Sequence, residues 1–240
     1  MKAVILAAGV GKRLWPITQH RPKCLIEIGG KSLLVRHLEI LASLGIARVT
    51  LVVGYKQEMI RAAVGTEFGG VELRYLVNEQ FQRGSIGSLW VARSELDGDT
   101  IIMDADVLYH REVMRRLVHS DSPNALLMDE LVKQQTEECM VVVRGGRVVA
   151  LTKRMPSAYD LAGEGVGFLK VRGADQPTLV ASLQRCVDRG LLDMEYEDAL
   201  LDFFGEAKVG FERIGGLPWI EIDFPEDVAR AEREILPKLS

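Results

Sequence analysis

Three cations and two spaced pairs of carboxylates carry the chemistry this sequence offers. The cations Lys12, Arg13 and Lys23 follow a loop of small residues, Ala7-Ala8-Gly9-Val10-Gly11. Glycines let backbone N–H groups approach anionic oxygens closely, and Lys and Arg hold such oxygens through charge-assisted hydrogen bonds. That combination suits a chain of phosphates. Leu14 stands where a GxGxxG dinucleotide fingerprint needs its third glycine, and no GxxxxGK[ST] loop is present. A GxG after a strand also serves a plain tight turn, but the cations gathered around this one favour phosphate binding. The carboxylates are Asp104 and Asp106, then Glu221 and Asp223. Residues two apart on a strand point the same way, so each pair can present two oxygens to one edge. A single Asp at such a place could instead cap the following turn. Magnesium that bridges phosphates takes one or two carboxylates and several waters. The whole set describes a phosphoryl or nucleotidyl transfer site, where positioning and charge neutralisation do most of the catalysis.

Such residues need a scaffold that gathers distant segments at one edge. Ala3 to Leu6 reads as a buried strand. Ser32 can cap a helix with Leu34, Leu38 and Leu41 at helical spacing, ended by Gly45. Val49 to Val53 reads as a strand buried on both faces, Gln57 to Val64 as a helix and Val71 to Val77 as a strand. Ser85 to Ser94 reads as a Ser-capped helix and Thr100 to Met103 as another buried strand. The alternation predicts an α/β fold with a doubly wound, mostly parallel, Rossmann-like sheet that binds ligands at the carboxyl ends of its strands. Short strands follow at Ala125 to Met128, Met140 to Val143 and Val148 to Leu151, with a hairpin turn at Gly145-Gly146, then Val166 to Val171. Helices at Pro177 to Arg189 and Tyr196 to Phe204 complete an inserted, lid-like subregion for a second substrate. The chain closes with a strand from Trp219 and a helix that opens at Pro225, where Glu226 and Asp227 suit its positive end.

Composition narrows the class. The chain has 240 residues, 48% of them hydrophobic and 27% charged, with a net charge of −4. No Lys/Arg cluster is present, which excludes a nucleic-acid binder that works through a basic surface. Cys24, Cys139 and Cys186 lie far apart without a CxxC, so neither a zinc site nor a disulfide framework is expected. No stretch reaches the ~18 apolar residues of a membrane span, and no signal-type region precedes the first strand. A cytoplasmic protein is the expectation. No Pro/Gly/Ser-rich linker or repeat divides the chain, which predicts one domain: 1–128 mainly nucleotide-binding, 129–218 mainly acceptor-binding, 219–240 the metal-binding strand end and closing helix.

The opening AVILAAGVGKRLWPITQHRPKCL resembles the LAAGxGxRLxPxTxxxPK signature of the nucleotidyltransferase superfamily that joins NTPs to sugar phosphates. The middle DADV, the EDAL at Glu197 to Leu200 and the closing WIEIDFPEDVARAE make the chain more similar to the small cytidylyltransferases of that superfamily. These include choline-phosphate, aminoethylphosphonate and inositol-phosphate enzymes. The resemblance implies an enzyme that moves CMP from CTP to a small phosphate or phosphonate, with Mg²⁺ as cofactor and pyrophosphate as the leaving group. It implies that Arg13, Lys23 and Lys153 act in catalysis. Ala7, Ala8, Gly9, Gly11, Lys12, Arg13, Asn78, Gly84, Ser85, Ser88 and Asp104 would bind the nucleotide. Lys23, Lys153, Tyr196, Glu197 and Trp219 would bind the acceptor, and Asp106, Glu221 and Asp223 the metal. A homodimer is compatible with the family, while nucleic acid and membrane are not expected partners.

The sequence departs from that pattern in two places. Phe224 stands where the closing motif usually has Thr, as in DTPED, so a hydroxyl cap is lost and packing of Phe224 is expected to hold Asp223 instead. The stretch Met128 to Glu138 has no aromatic residue, whereas choline-specific enzymes use an aromatic box for the quaternary amine. This weakens phosphocholine as acceptor. A sugar-1-phosphate uridylyl- or thymidylyltransferase is the alternative enzyme, and a non-catalytic nucleotide-sensing module the alternative of another class. None of His20, His37, His110 and His119 is assigned to catalysis.

Overall fold

The computed structural model describes residues 1–134 and 138–239. In chain order its strands are β1 (Lys2–Ala7), β2 (Glu27–Ile28), β3 (Lys31–Ser32), β4 (Arg48–Val53), β5 (Glu67–Phe68), β6 (Val71–Val77) and β7 (Thr100–Asp104). Then come β8 (Val107–Tyr109), β9 (Ala125–Asp129), β10 (Met140–Arg144), β11 (Arg147–Thr152), β12 (Leu161–Val171), β13 (Gly210–Arg213) and β14 (Trp219–Glu221). The α-helices are α1 (Leu33–Ser43), α2 (Gln57–Val64), α3 (Ser85–Val91), α4 (Arg111–Val118), α5 (Gln176–Asp188), α6 (Tyr196–Glu206) and α7 (Pro225–Arg230).

Strand alternation explains the layers. In β1 the side chains of Ala3, Ile5 and Ala7 join one core with α1 (Leu34, Leu38, Leu41) and α4 (Val113, Met114, Leu117). Val4 and Leu6 point the other way, into a second core with α3 (Ile86, Leu89), α5 (Leu179, Leu183) and α6 (Leu200, Phe203). A strand buried on both faces therefore reads as a continuous apolar run, as β1, β4 and β7 do. Four neighbours, β7, β1, β4 and β6, are parallel. The sheet order is β11-β10-β12-β7-β1-β4-β6-β5, with β9 paired to β12 and β13. This is the mostly parallel, doubly wound sheet the alternation predicted.

The inserted subregion enters by extending that sheet. β12 pairs antiparallel with β7, β10 with β12, and β10 with β11 through the Gly145-Gly146 turn. β12 runs from Leu161, five residues before the apolar signal begins, because Gly163, Gly165 and Gly167 hide its start. The short strands β2, β3, β5, β8 and β13 and the charged helix α4 were not evident in the sequence.

A third, smaller core positions the site. Leu14, Ile26, Ile28 and Leu33 come from the first part of the chain, Leu108 from β8, and Ile220, Ile222 and Ala231 from its end. Burying eight such residues together is worth of order 1.5–3 kcal/mol for each large side chain. It ties three distant motifs into one block. Among the described residues, no helix is long and apolar enough to cross a membrane.

Candidate active site

At the carboxyl ends of the parallel strands lies one cleft of about 1810 Å³. The loop after β1 forms one wall. Its carbonyls are turned inward, Ala8 accepting the Tyr55 N–H at 3.0 Å and Gly11 the Leu14 N–H at 3.0 Å. The Thr18 hydroxyl also donates to the Gly11 carbonyl, at 2.6 Å. Gly11 adopts φ +65°, where a side chain would be strained and a Cβ would crowd Lys23 and Thr18. Ala7, Ala8, Gly9, Gly11, Lys12 and Arg13 all line the cleft.

Three of the four acids, Asp106, Glu221 and Asp223, meet through a two-stranded ribbon, and Asp104 stands apart from them. β14 pairs antiparallel with β8 in a register that sets Glu221 opposite Val107, and the Ile222 N–H donates to the Asp106 carbonyl at 3.0 Å. One carboxylate oxygen from each of Asp106, Glu221 and Asp223 lies within 4.8 Å of the others. The Lys23 ammonium donates to Asp106 Oδ2 and to Asp223 Oδ1, both at 2.6 Å, and Arg13 Nη2 donates to Asp223 Oδ2 at 2.8 Å. Burial by itself would lower the Lys23 pKa, but the charges of Asp106, Asp223 and Glu221 outweigh it and leave it raised. Glu221 is exposed on the cleft side, where loss of bulk water, then repulsion from Asp106 and Asp223, pushes its carboxyl up to about 8 against the pull of Lys23. The three acids fit a hard divalent cation. They offer only oxygen donors, and the buried Asp106 Oδ1 has no hydrogen-bond partner in the protein.

The backbone that presents Asp223 is held by the carboxylate of Asp227, with Oδ2 accepting the N–H of Asp223 at 3.0 Å and of Phe224 at 2.8 Å. That carboxylate, three residues into the helix start, is the acidic half of a capping box, and the Asp227 N–H that a hydroxyl at 224 would take goes to the Phe224 carbonyl at 3.0 Å. The Phe224 ring lies under Arg13 instead, with the guanidinium carbon 5.2 Å from its centroid.

The wall opposite departs further from expectation. Gly84 is the residue before α3, and Ser85 does not cap that helix. Its hydroxyl donates to Glu195 Oε2 at 2.5 Å and accepts the Tyr196 N–H at 2.7 Å, so it caps α6, the helix expected to bind the acceptor. Arg83 adds a two-pronged bond to Asp193 at 2.7 and 2.8 Å. A Cβ on Gly84 would overlap the Met194 carbonyl. Asn78 does not line the cleft. It is buried beneath the loop, donating to the Ser88 hydroxyl at 3.0 Å and accepting the Gln80 N–H at 2.9 Å. Ser88 itself lines the cleft.

Asp104, Lys153, Tyr196, Glu197 and Trp219 also line it. The Tyr196 hydroxyl donates to Asp104 Oδ2 at 3.1 Å, which places Asp104 against α6. Burial, then the charges of Glu197 and Asp106, holds the Asp104 carboxyl well above its usual range. Burial likewise pushes Glu197 up to about 7. Trp219 Nε1 donates to Asp129 Oδ2 at 2.8 Å. The sequence reading missed Asp129, Asp227 and Glu164, whose carboxyl burial pushes up to about 7. Asp227 alone had a signal, as the acid of the closing helix. All three cysteines are free thiols.

A model of the nucleotidyl transferase family matches residues 2–140. The chain is 29% identical over 252 residues to a CMP-5'-(3-aminopropyl)phosphonate synthase from Streptomyces rubellomurinus, covering 99% of this chain and 39% of that protein. It is 33% identical over 134 residues to a UTP–glucose-1-phosphate uridylyltransferase from Haloferax volcanii, covering 55% of each. The structure of the CTP:phosphocholine cytidylyltransferase from Streptococcus pneumoniae matches with a TM-score of 0.75 at 25% identity, over 98% of both chains. The chain spans 39% to 57% of the length of the first curated relatives it matches. With the glycine loop, its cations and the ribbon of acids inside or beside the matched stretch, the chain belongs to the nucleotidyl transferase family.

Proposed function

We propose that this nucleotidyltransferase is a cytidylyltransferase that moves CMP from CTP to a small phosphate or phosphonate. The observation that carries the reading is the Lys23 ammonium, held at 2.6 Å from Asp106 on one strand end and from Asp223 on another. It sits where the β1 loop, with Arg13, faces the acids. An oxygen of the acceptor forms the new bond to the α-phosphorus, the bond from that phosphorus to the β-phosphate bridging oxygen breaks, and pyrophosphate leaves with the electron pair. Arg13 and the backbone of Gly9 to Lys12 would hold the β and γ phosphates. Lys23 would neutralise the α-phosphate and orient the acceptor, and Lys153 would hold the acceptor phosphate. Magnesium held by Asp106, Glu221 and Asp223 would withdraw charge from the transferring phosphate. Fixing donor and acceptor in line needs no covalent enzyme intermediate.

Similarity along almost the whole chain to a CMP-phosphonate synthase and to a phosphocholine cytidylyltransferase supports CTP as donor. Similarity over 134 residues to a uridylyltransferase supports UTP with a sugar 1-phosphate as the second reading. Ser88 and the Gly84–Ser85 loop would face the base and ribose, and residues 129–218 the acceptor. Pyrophosphate release over a grid of four NTPs and a panel of acceptor phosphates and phosphonates tests both. Release with CTP and a small acceptor is the expected result. Release with UTP and hexose 1-phosphates would favour the second reading, and no release with any pair would overturn both.

A further inference from the structure

Phe224 stands where the closing motif usually has Thr, yet its side chain is 38% exposed and joins none of the three hydrophobic cores. Burial therefore does not explain the ring; what it touches does. Its main chain is held from both sides, the N–H donating to Asp227 Oδ2 at 2.8 Å and the carbonyl accepting the Asp227 N–H at 3.0 Å. The ring is thus a platform fixed to the start of α7, and it lines the cleft beside Arg13. The Arg13 guanidinium lies over it, with its carbon 5.2 Å from the ring centroid, while Nη2 donates to Asp223 Oδ2 at 2.8 Å.

A guanidinium donates hydrogen bonds from its edges, in its own plane, and meets an aromatic ring through its face. The two uses do not compete. Asp223 is a different kind of partner, because it is one of the three acids that fit a divalent cation, and a metal there competes for the oxygen that Arg13 uses. Nothing in that competition touches the ring contact. Resting on the assignment of Arg13 to the β and γ phosphates, we propose that Phe224 is a positioning residue for it. The ring holds the guanidinium at the cleft by its face and leaves its N–H edges to fork onto the pyrophosphate half of the nucleotide. A Thr at this position has no ring face to offer.

The test is calorimetric titration with inorganic pyrophosphate in Mg²⁺, which needs neither an acceptor nor turnover. Phe224→Leu should weaken pyrophosphate binding about 3- to 10-fold, the range for a partly desolvated cation–π contact, and Phe224→Trp should bind as tightly as wild type or more so. In an Arg13→Met background, Phe224→Leu should add less than about twofold, because the ring acts only through the guanidinium. Thermal melts check that the variants are folded, and the exposed ring predicts that Phe224→Leu melts with wild type. Unchanged pyrophosphate binding in Phe224→Leu, an equal loss in Phe224→Trp, or full additivity with Arg13→Met overturns the proposal while the transfer reading stands. An equal loss of affinity for Mg²⁺ alone in Phe224→Leu also overturns it, since the ring would then act on Asp223. Wild-type binding of pyrophosphate no tighter than that of Arg13→Met overturns both the phosphate role of Arg13 and this proposal. The cytidylyltransferase reading is judged separately, by release over the NTP grid.

Discussion

Asp227 reaches back across the start of α7 to accept the backbone N–H of Asp223 at 3.0 Å, so one carboxylate fixes the chain that presents another. Asp227 is buried and outside the trio of acids, and it acts on the site through the backbone. Losing an orienting partner of this kind costs 10- to 100-fold in metal affinity or activity, and losing the cap costs about 1 kcal/mol of stability. Asp227→Ala should therefore raise the Mg²⁺ concentration for half-maximal activity by at least tenfold. Asp227→Asn, whose amide oxygen still accepts an N–H, should recover most of it. Equal Mg²⁺ dependence in wild type and Asp227→Ala would contradict this role.

Lys23 occupies two of the acids that would hold a cation, so its removal should separate two measurements that usually move together. Lys23→Met should lower kcat by about 10²- to 10³-fold, the range for loss of one charge-stabilising donor. Without nucleotide, the same variant should bind Mg²⁺ more tightly than wild type, because Asp106 and Asp223 lose their internal cation. Weaker Mg²⁺ binding by Lys23→Met, followed by calorimetry, would contradict the arrangement.

Ser85 ties the loop expected to face the nucleotide to the helix expected to face the acceptor. Ser85→Ala removes the cap on the Tyr196 N–H and the bond to Glu195, at a cost of about 1 kcal/mol. Its effect should fall on the acceptor: a rise in acceptor KM of roughly fivefold, consistent with that free energy, with the KM for CTP changed less. A change confined to the KM for CTP would show that the hydroxyl serves the donor instead.

The raised acids give a pH dependence with a definite sign. Glu221 is pushed up to about 8, and Glu197 and Glu164 to about 7, from an unfolded value of 4.5. Between these values the folded state binds more protons than the unfolded state. Their stabilising contribution is full below pH 4.5 and is lost as pH rises towards 8. The melting temperature of the metal-free protein should accordingly fall from pH 5 to pH 8. Mg²⁺ should restore it at pH 8 far more than at pH 5, since it binds only the folded, ionised cluster. A flat profile, or equal effects of Mg²⁺ at both pH values, would count against this electrostatic picture.

The sheet was legible because strands buried on both faces must be apolar throughout, as β1, β4 and β7 nearly are, while β6 alternates buried Val71 and Leu73 with exposed Glu72 and Arg74; all four were expected within a residue or so of their bounds. The glycine loop with its cations and the spaced acids were legible because phosphate and metal chemistry would need those residue types in local patterns. Ser85 was misassigned for a related reason. A serine before a helix signals a local cap, and only the folded chain brings Glu195 and Tyr196 across to take its hydroxyl. Asn78 was expected at the nucleotide, and the folded chain sets its side chain beneath the loop, with one N–H on Ser88 and one lone pair on the Gln80 N–H.

By itself, then, the sequence determined the alternating architecture, the cationic loop and the two acidic pairs, all of which depend on residues close together in the chain. Tertiary structure decided that Asp106 meets Asp223 through the β8–β14 ribbon and the small core beneath it. It also set Lys23 between those two acids, Asp227 behind Asp223, and Asp104 against Tyr196. These pairs are separated by many residues or act through the backbone, so no local periodicity records them. They exist only because burial of the intervening apolar segments leaves the polar side chains one shared edge.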